Sequence, residues 1–169
     1  MFNKKDDHLN LALKFYGTEK KSDFDNVQFV HQVFSDVSVD DVDISSTFAG
    51  YKFNQPFYIN GMTGGTGRTK EYNEKLSILA RETGIFIAAG SLSVGLKDSS
   101  VLDSFKVVRK LNPQGIVFAN LGAEKTLEDA KRAVDILEAD GLQIHVNLCQ
   151  ELVMPEGDRD FHKWLTNIE

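Results

Sequence analysis

At 169 residues the chain is long enough for one domain with a sizeable core. Its 19 Lys and Arg against 25 Asp and Glu leave a net charge of −6, which argues against non-specific nucleic-acid binding. A single cysteine, Cys149, excludes an intrachain disulfide and fits a reducing compartment, and no apolar stretch approaches the ~20 residues of a membrane span.

Behind Met1-Phe2-Asn3-Lys4-Lys5-Asp6-Asp7-His8 there is no signal-peptide core, so the expected location is the cytosol. Residues 1–17 read as a polar tip and a short helix, with Leu9, Leu11, Leu13 and Phe15 in a mixed pattern. Gly17 to Asp25, with Lys20 and Lys21, reads as a charged, solvated loop. Residues 26–60 carry β-type patterning in Val37-Ser38-Val39, Val42-Asp43-Ile44, Thr47-Phe48 and Tyr51-Lys52-Phe53. They are expected to form irregular structure with one or two hairpin strands that lead into, or cover, a larger unit.

From Pro56 a repeat begins. The apolar runs Phe57-Tyr58-Ile59-Asn60, Ile85-Phe86-Ile87-Ala88-Ala89, Gly115-Ile116-Val117-Phe118-Ala119 and Leu142 to Asn147 predict four strands. Between them come helical stripes: Tyr72, Leu76, Leu79 and Thr83, stopped by Gly84; Val101, Phe105 and Val108, stopped before Asn112-Pro113; and Leu127, Ala130, Val134 and Leu137, capped by Thr126 with Asp129. Phe161, Trp164, Leu165 and Ile168 give a fourth helix face. A strand–helix unit recurring every ~25–30 residues is repeated βα architecture. Mostly unbroken apolar strands imply a parallel sheet covered by helices. Strand, polar or glycine-rich rim, then helix is the layout of a (β/α)8 barrel, which needs eight strands and about 250 residues. This chain supplies four units, expected at 56–169, behind an N-terminal extension at 1–55.

Chemistry-bearing residues fall at the strand ends, where ligands sit in parallel α/β folds. His145 and Asn147 are two apart, so a continuing strand would point both to one side, and Gln150 and Glu151 follow. The cluster reads either as a catalytic or binding rim or as a buried polar group that satisfies itself. Cys149, on the same run, reads as a small buried hydrophobe. Gly61-Met62-Thr63-Gly64-Gly65-Thr66-Gly67 allows close backbone approach to a ligand, or forms a tight βα turn without one. It is not a Walker loop, and Gly65-Thr66-Gly67 is too little for a dinucleotide fingerprint. Ser91 and Asn120 each follow a strand end. Lys4, Lys5 and His8 form a basic cluster on a tail that either folds over an anionic ligand such as phosphate or stays solvated.

Taken together, Lys4-Lys5-Asp6-Asp7-His8, Ile59-Asn60-Gly61-Met62-Thr63-Gly64-Gly65, Gly90-Ser91, Ala119-Asn120-Leu121-Gly122-Ala123, Gln143-Ile144-His145-Val146-Asn147, Gln150-Glu151 and Pro155-Glu156-Gly157-Asp158-Arg159 resemble the type 2 isopentenyl-diphosphate isomerases in order and spacing. The resemblance runs from the N-terminus to Asn167-Ile168-Glu169. It implies a (β/α)8 TIM barrel, FMN in its reduced form with NADPH as reductant, Mg²⁺, and interconversion of isopentenyl and dimethylallyl diphosphates in isoprenoid biosynthesis. By the same resemblance Gly61, Met62, Thr63, Ser91 and Asn120 contact the flavin. Lys4, Lys5, His8, His145 and Asn147 bind the substrate diphosphate, Gln150 lies beside the double bond as the catalytic-site residue, and Glu151 holds Mg²⁺. A neutral amide is a poor general acid or base, so proton transfer falls to the flavin and Gln150 positions or relays.

Three departures stand out. Lys4 occupies a position where that family usually carries arginine, keeping the charge without the bidentate fork. Gly90-Ser91-Leu92-Ser93 lacks the arginine many members place two residues after the serine. The family's second half, with a lysine-bearing strand and glycine-rich loops for the FMN phosphate, has no counterpart here. The expectation is therefore a half-barrel, inactive alone, which would be a homo-oligomer if the barrel were complete. Two alternatives remain: a non-catalytic half-barrel that dimerises through its open edges, and another FMN-dependent barrel oxidoreductase.

Overall fold

In a computed structural model, which describes residues 4–18, 21–155 and 157–169 and only the backbone of Lys4, the chain opens with helix α1 (Lys4–Lys14). Asp6 and Asp7 in its first turn and Lys14 in its last complement the helix dipole. The basic cluster thus lies on a helix and not on an unstructured tail. Asp6 accepts a hydrogen bond from the Thr66 hydroxyl at 2.8 Å, and Asn10 accepts one from Arg68 at 2.6 Å, which ties α1 to the start of the next long helix. Of the expected charged loop, Lys20 lies outside the described residues, as does Glu156 of the later Pro/Gly loop.

Residues 21–45 run over the surface with two short 3-10 turns, Asp23–Asn26 and Val39–Asp41. Each is closed by a reciprocal serine–aspartate box, Ser22 with Asp25 and Ser38 with Asp41. The box at Ser38 explains why Val37-Ser38-Val39 and Val42-Asp43-Ile44 do not extend into strands: local side-chain bonds compete with ladder pairing. The expected hairpin forms further on, as β1 (Ser46–Phe48) against β2 (Tyr51–Phe53). Ala49 and Gly50 both have positive φ (49° and 82°), the turn that matches the right-handed twist of two short antiparallel strands.

The repeat then follows as α2 (Gly67–Thr83), β3 (Ile87–Ala88), α3 (Ser93–Lys97), α4 (Asp103–Leu111), β4 (Val117–Gly122), α5 (Leu127–Leu137), β5 (Gly141–His145), α6 (Leu148–Val153) and α7 (Trp164–Ile168). β3, β4 and β5 make a parallel sheet in sequential order, so the molecule is a mixed α/β fold of parallel β–α units. The expected first strand shrinks to a single parallel bridge, Ile59 to Ile87, held by Ile59 N–H to Phe86 O and Ala88 N–H to Ile59 O at 3.0 and 2.9 Å. Among the described residues it has a strand neighbour on one side only, and Pro56 and Gly61 bracket it.

One face of the sheet is sealed. Ile85, Ile87, Ala89, Val117, Ala119 and Leu121 pack under Leu92, Phe105, Val108, Ala133 and Leu137, all 8% exposed or less. The α4 stripe and most of α5's are as the periodicity predicts, but Leu127 is exposed in α5's first turn. On α2 the buried residues are Thr69, Asn73, Ser77 and Ala80, whereas Leu79 and Thr83 face solvent. Small and polar side chains let α2 approach α4 closely, which shifts the buried stripe away from its larger apolar residues. Arg109 locks the lower ends together: it donates to Gly115 O and Glu138 O and pairs with Asp140, which also accepts from Val117 N–H.

The opposite face alternates with the first. Phe86, Ala88 and Phe118 point there and meet Phe53 of the hairpin, with ring centroids 4.9 Å apart for Phe53–Phe86 and 5.2 Å for Phe86–Phe118. Tyr58 stacks on Phe86 at 4.2 Å. The hairpin therefore covers the lower, aromatic part of this face. The helix expected after the fourth strand is the five-residue α7, docked by Asn167 donating to Ala123 O at 2.9 Å; of its expected face, Phe161 lies ahead of the helix, edge-on to Trp164, and Leu165 and Ile168 are exposed.

Candidate functional site

Above the aromatic layer, the same sheet face turns polar. Phe118 and Asn120 alternate inward on β4, and Gln143 and His145 on β5, where Asn120 is in register with Gln143 and Gly122 with His145. Gly122 offers no side chain, so the His145 ring reaches along the face to Asn120, Nδ1 to Oδ1 at 2.9 Å. Asn120 Nδ2 donates to Gln143 Oε1 at 3.1 Å, and Gln143 Nε2 donates to Asn60 Oδ1 at 2.9 Å. A second, longer contact runs from Gln143 Nε2 to the Tyr58 hydroxyl at 3.4 Å. Asn120 is only 4% exposed, Gln143 and His145 are half-buried and Asn60 is exposed, so this row of bonded amides runs inward from the surface and ends at an imidazole near the strand ends. Burial pushes the His145 pKa down; the carboxylates of Glu124 and Glu151 oppose that, and the ammonium of Lys5 adds to it. The net shift is downward, so the ring is neutral at pH 7.

Around this row lie the loops that follow each strand. The glycine-rich turn is held from below: Gly65 N–H donates to Ser104 Oγ at 2.7 Å, the Thr63 hydroxyl donates to the Asn73 side-chain oxygen, and Asn73 Nδ2 donates to Ser104 O. Gly64 has φ 147°, and a Cβ there would overlap the Phe105 ring. The next rim loop comes so close that Gly90 N–H bonds Thr63 O at 2.9 Å and a Cβ on Gly90 would strike the Thr63 backbone. Gly61 and Thr63 are half-buried, while the Met62 side chain stands 73% exposed. Ser91, half-buried at the end of β3, bonds Ser93 Oγ at 3.0 Å. From α1, Lys5 leans over the turn, its Cγ 3.6 Å from where a Gly65 Cβ would stand. His8 is on the exposed side of α1, and the side chain of Lys4 lies outside the described residues.

The structure divides the expected cluster at the end of β5. The strand stops at His145, so Asn147 does not share its face; it caps α6 instead. Its Oδ1 accepts from Gln150 N–H at 3.2 Å and its Nδ2 donates to Gln150 Oε1 at 2.7 Å, so these two side chains satisfy each other. Cys149 is exposed on α6, contrary to the buried position expected on a strand. Glu151 is half-buried, with Oε2 accepting from Asp158 N–H at 2.8 Å, while Arg159 bonds the carbonyls of Glu151 and Met154. The Asp158 loop thus folds back onto the one carboxylate of the set. Among the described residues no group of three or more His, Cys, Asp or Glu is placed to hold a metal by itself, and no helix is long and apolar enough to cross a membrane.

The sequence assigned no role to Asn60, Gln143, Tyr58 or Glu124. Gln143 was findable, since it stands two residues before His145 on a strand; Asn60 and Tyr58 needed the sheet order to place them.

Comparison with characterised proteins follows the same line. The chain is 47% identical over 166 residues to the isopentenyl-diphosphate delta-isomerase of Latilactobacillus sakei, an alignment covering 98% of this chain and 47% of the relative. It is 45% identical over 167 residues to the isopentenyl-diphosphate delta-isomerase of a Streptomyces species, strain CL190, covering 98% and 46%, and 45% identical over 165 residues to that of Staphylococcus aureus, covering 98% and 47%. No protein-family model matches the chain. The chain is thus homologous to isopentenyl-diphosphate delta-isomerases over nearly its whole length and spans about half the length of the curated relatives it matches.

Proposed function

From this homology to about half of an isopentenyl-diphosphate delta-isomerase, we propose that the chain carries the first four βα units of a (β/α)8 barrel at 56–169, preceded by an extension at 1–55 that brings a basic helix to the rim. Within that reading it supplies half of a site that interconverts isopentenyl and dimethylallyl diphosphates. The observation that carries it is the convergence, at one end of a parallel sheet, of the glycine-rich turn, Asn120, His145 and Lys5, reached from four separate elements.

Each group has a task suited to its chemistry. Lys5, with Lys4 beside it in sequence, offers ammonium charge to a diphosphate arriving over the Gly64-Gly65 turn. His145 adds a ring nitrogen, and Asn147 an amide once it exchanges its bond to Gln150 for one to the ligand. Gly61, Met62, Thr63, Ser91 and Asn120 would hold reduced FMN; backbone amides and uncharged hydroxyl and amide groups at adjacent strand ends suit a flavin ring. When bound, reduced FMN supplies the proton transfer at the double bond. Gln150 is a neutral amide whose own part is orientation. Glu151 would hold Mg²⁺. It brings a single carboxylate with one oxygen already bonded to an amide, so the ion fits there together with diphosphate oxygens and water.

The test is a turnover assay of the 169-residue chain with reduced FMN, Mg²⁺ and isopentenyl diphosphate, alone and with the half of a relative that the chain does not span. Negligible turnover alone and recovery on complementation is expected. Turnover near that of an intact relative without complementation overturns the half-site reading, and better turnover of an electron acceptor with NADPH than of the diphosphate favours an oxidoreductase. A second reading, a non-catalytic half-barrel paired with its own copy, draws on the exposed Phe48 and Phe57 beside the aromatic face. Sedimentation giving a compact dimer that no complementing half can disrupt would favour it.

A further inference from the structure

The row of amides on the inner sheet face has a direction, and that direction reaches the histidine. A side-chain amide seen only through its contacts has two orientations, and an imidazole three protonation forms. Here one end of the row is pinned by a group with no such freedom: Gly61 backbone N–H donates to Asn60 at 2.9 Å, so the atom that accepts is the Asn60 oxygen. The Gln143 atom facing that oxygen at 2.9 Å must then be its nitrogen, which agrees with its second contact to the Tyr58 hydroxyl. Gln143 therefore turns its oxygen to Asn120, and Asn120 presents its nitrogen to Gln143 and its oxygen to His145. Each step follows from the one before, because two acceptor oxygens facing each other across about 3 Å repel and leave no donor between them, and the repulsion is screened least at Asn120, the buried member of the row.

From this polarity we infer that Asn120 is a positioning residue, held by Gln143 and Asn60, that fixes neutral His145 with its proton on Nδ1 and leaves Nε2 bare. The consequence for ligand binding rests on the isomerase reading. A diphosphate oxygen meeting His145 would find an acceptor there, so the anion and a proton at Nε2 enter together. Of the chain's own charges, Glu124 favours that proton and Lys5 opposes it, while the pull of Glu151 is offset where that carboxylate holds Mg²⁺. Asn120 and Gln143 thereby set which nitrogen of His145 exchanges protons, while neither needs to touch the diphosphate.

The tautomer can be read without any ligand, so the result stands apart from whether the chain takes part in isomerisation. Two-bond nitrogen–proton correlation spectra of the ¹⁵N-labelled 169-residue chain, with His145 assigned by its disappearance in His145→Gln, are recorded about one pH unit above the ordinary histidine value. The expected pattern has the protonated nitrogen at Nδ1. In Asn120→Leu, and in Gln143→Leu, which alters no direct partner of His145, the pattern moves toward the Nε2–H form that free imidazole side chains favour in water. Amide dispersion in the same samples reports folding, and should Asn120→Leu unfold the chain, wild type and Gln143→Leu decide. An Nε2–H ring in the wild type, or a folded Gln143→Leu variant with an unchanged ring, overturns the inference.

Discussion

Two stretches of this chain carry similar apolar side chains and do opposite things with them. Between residues 85 and 137, Ile87, Leu92, Phe105, Val108, Val117 and Leu137 are 0–1% exposed. Between residues 24 and 44, Phe29 is 98% exposed, Phe34 96%, Val39 87% and Val30 85%. The first stretch repeats strand and helix at the periods that let each element bury its apolar face on the next. The second is turned at its two ends by serine–aspartate boxes and forms no helix or strand between them, so it presents no common face to a core. Hydrophobic content alone therefore did not decide burial; a matching periodic partner did.

That contrast can be tested at three depths. Phe105→Ala empties a fully enclosed site where the α4 side chain packs against the Gly64 turn and Gly95 of α3, and should cost about 3–5 kcal/mol in urea unfolding. A much smaller loss would mean the βα core is loosely packed and the contrast overdrawn. His145, at the boundary between core and rim, should show itself through pH. Its folded pKa is lowered by burial, so the neutral ring's contribution is complete above the unfolded value of 6.5 and is lost as pH falls through the folded value. The unfolding midpoint of the wild type should drop more steeply than that of His145→Gln between about pH 7 and about pH 5; parallel curves would mean the ring is solvated. Smallest of all, Phe34→Ser should change stability by no more than about 0.5 kcal/mol. A loss comparable with that of Phe105→Ala, especially one that grows with protein concentration, would mean that residues 24–44 are packed against another surface in solution.

Much of the site was legible in residues. The glycine-rich turn, Ser91, Asn120 and His145 all stand at or beside strand ends, because apolar runs punctuated by glycine and capping residues mark where a parallel strand stops. Lys5 was legible as charge but not as position: its place over the Gly64-Gly65 turn depends on α1 docking through Asp6 to Thr66 and Asn10 to Arg68, contacts between groups some sixty positions apart. Asn147 was misjudged for a local reason, since an asparagine ahead of Leu-Cys-Gln-Glu is as good a helix cap as it is a strand tip, and the cap prevailed. The stripe on α2 was misjudged for a packing reason, since close approach of α4 favours Asn73, Ser77 and Ala80 over larger side chains.

By itself the sequence determined the parallel order of β–α units, the helix stops at Gly84 and Asn112, the cap at Thr126, and the family to which its motifs are similar. These depend on spacing and on the conformational preferences of single residues, which act over a few positions and survive in any context. Only the tertiary structure decided the bond from His145 to Asn120, the line of amides running back to Asn60, and the helix that carries Lys5 to the rim. Those depend on which strands lie side by side and in what register, and register is settled by the packing of the whole sheet.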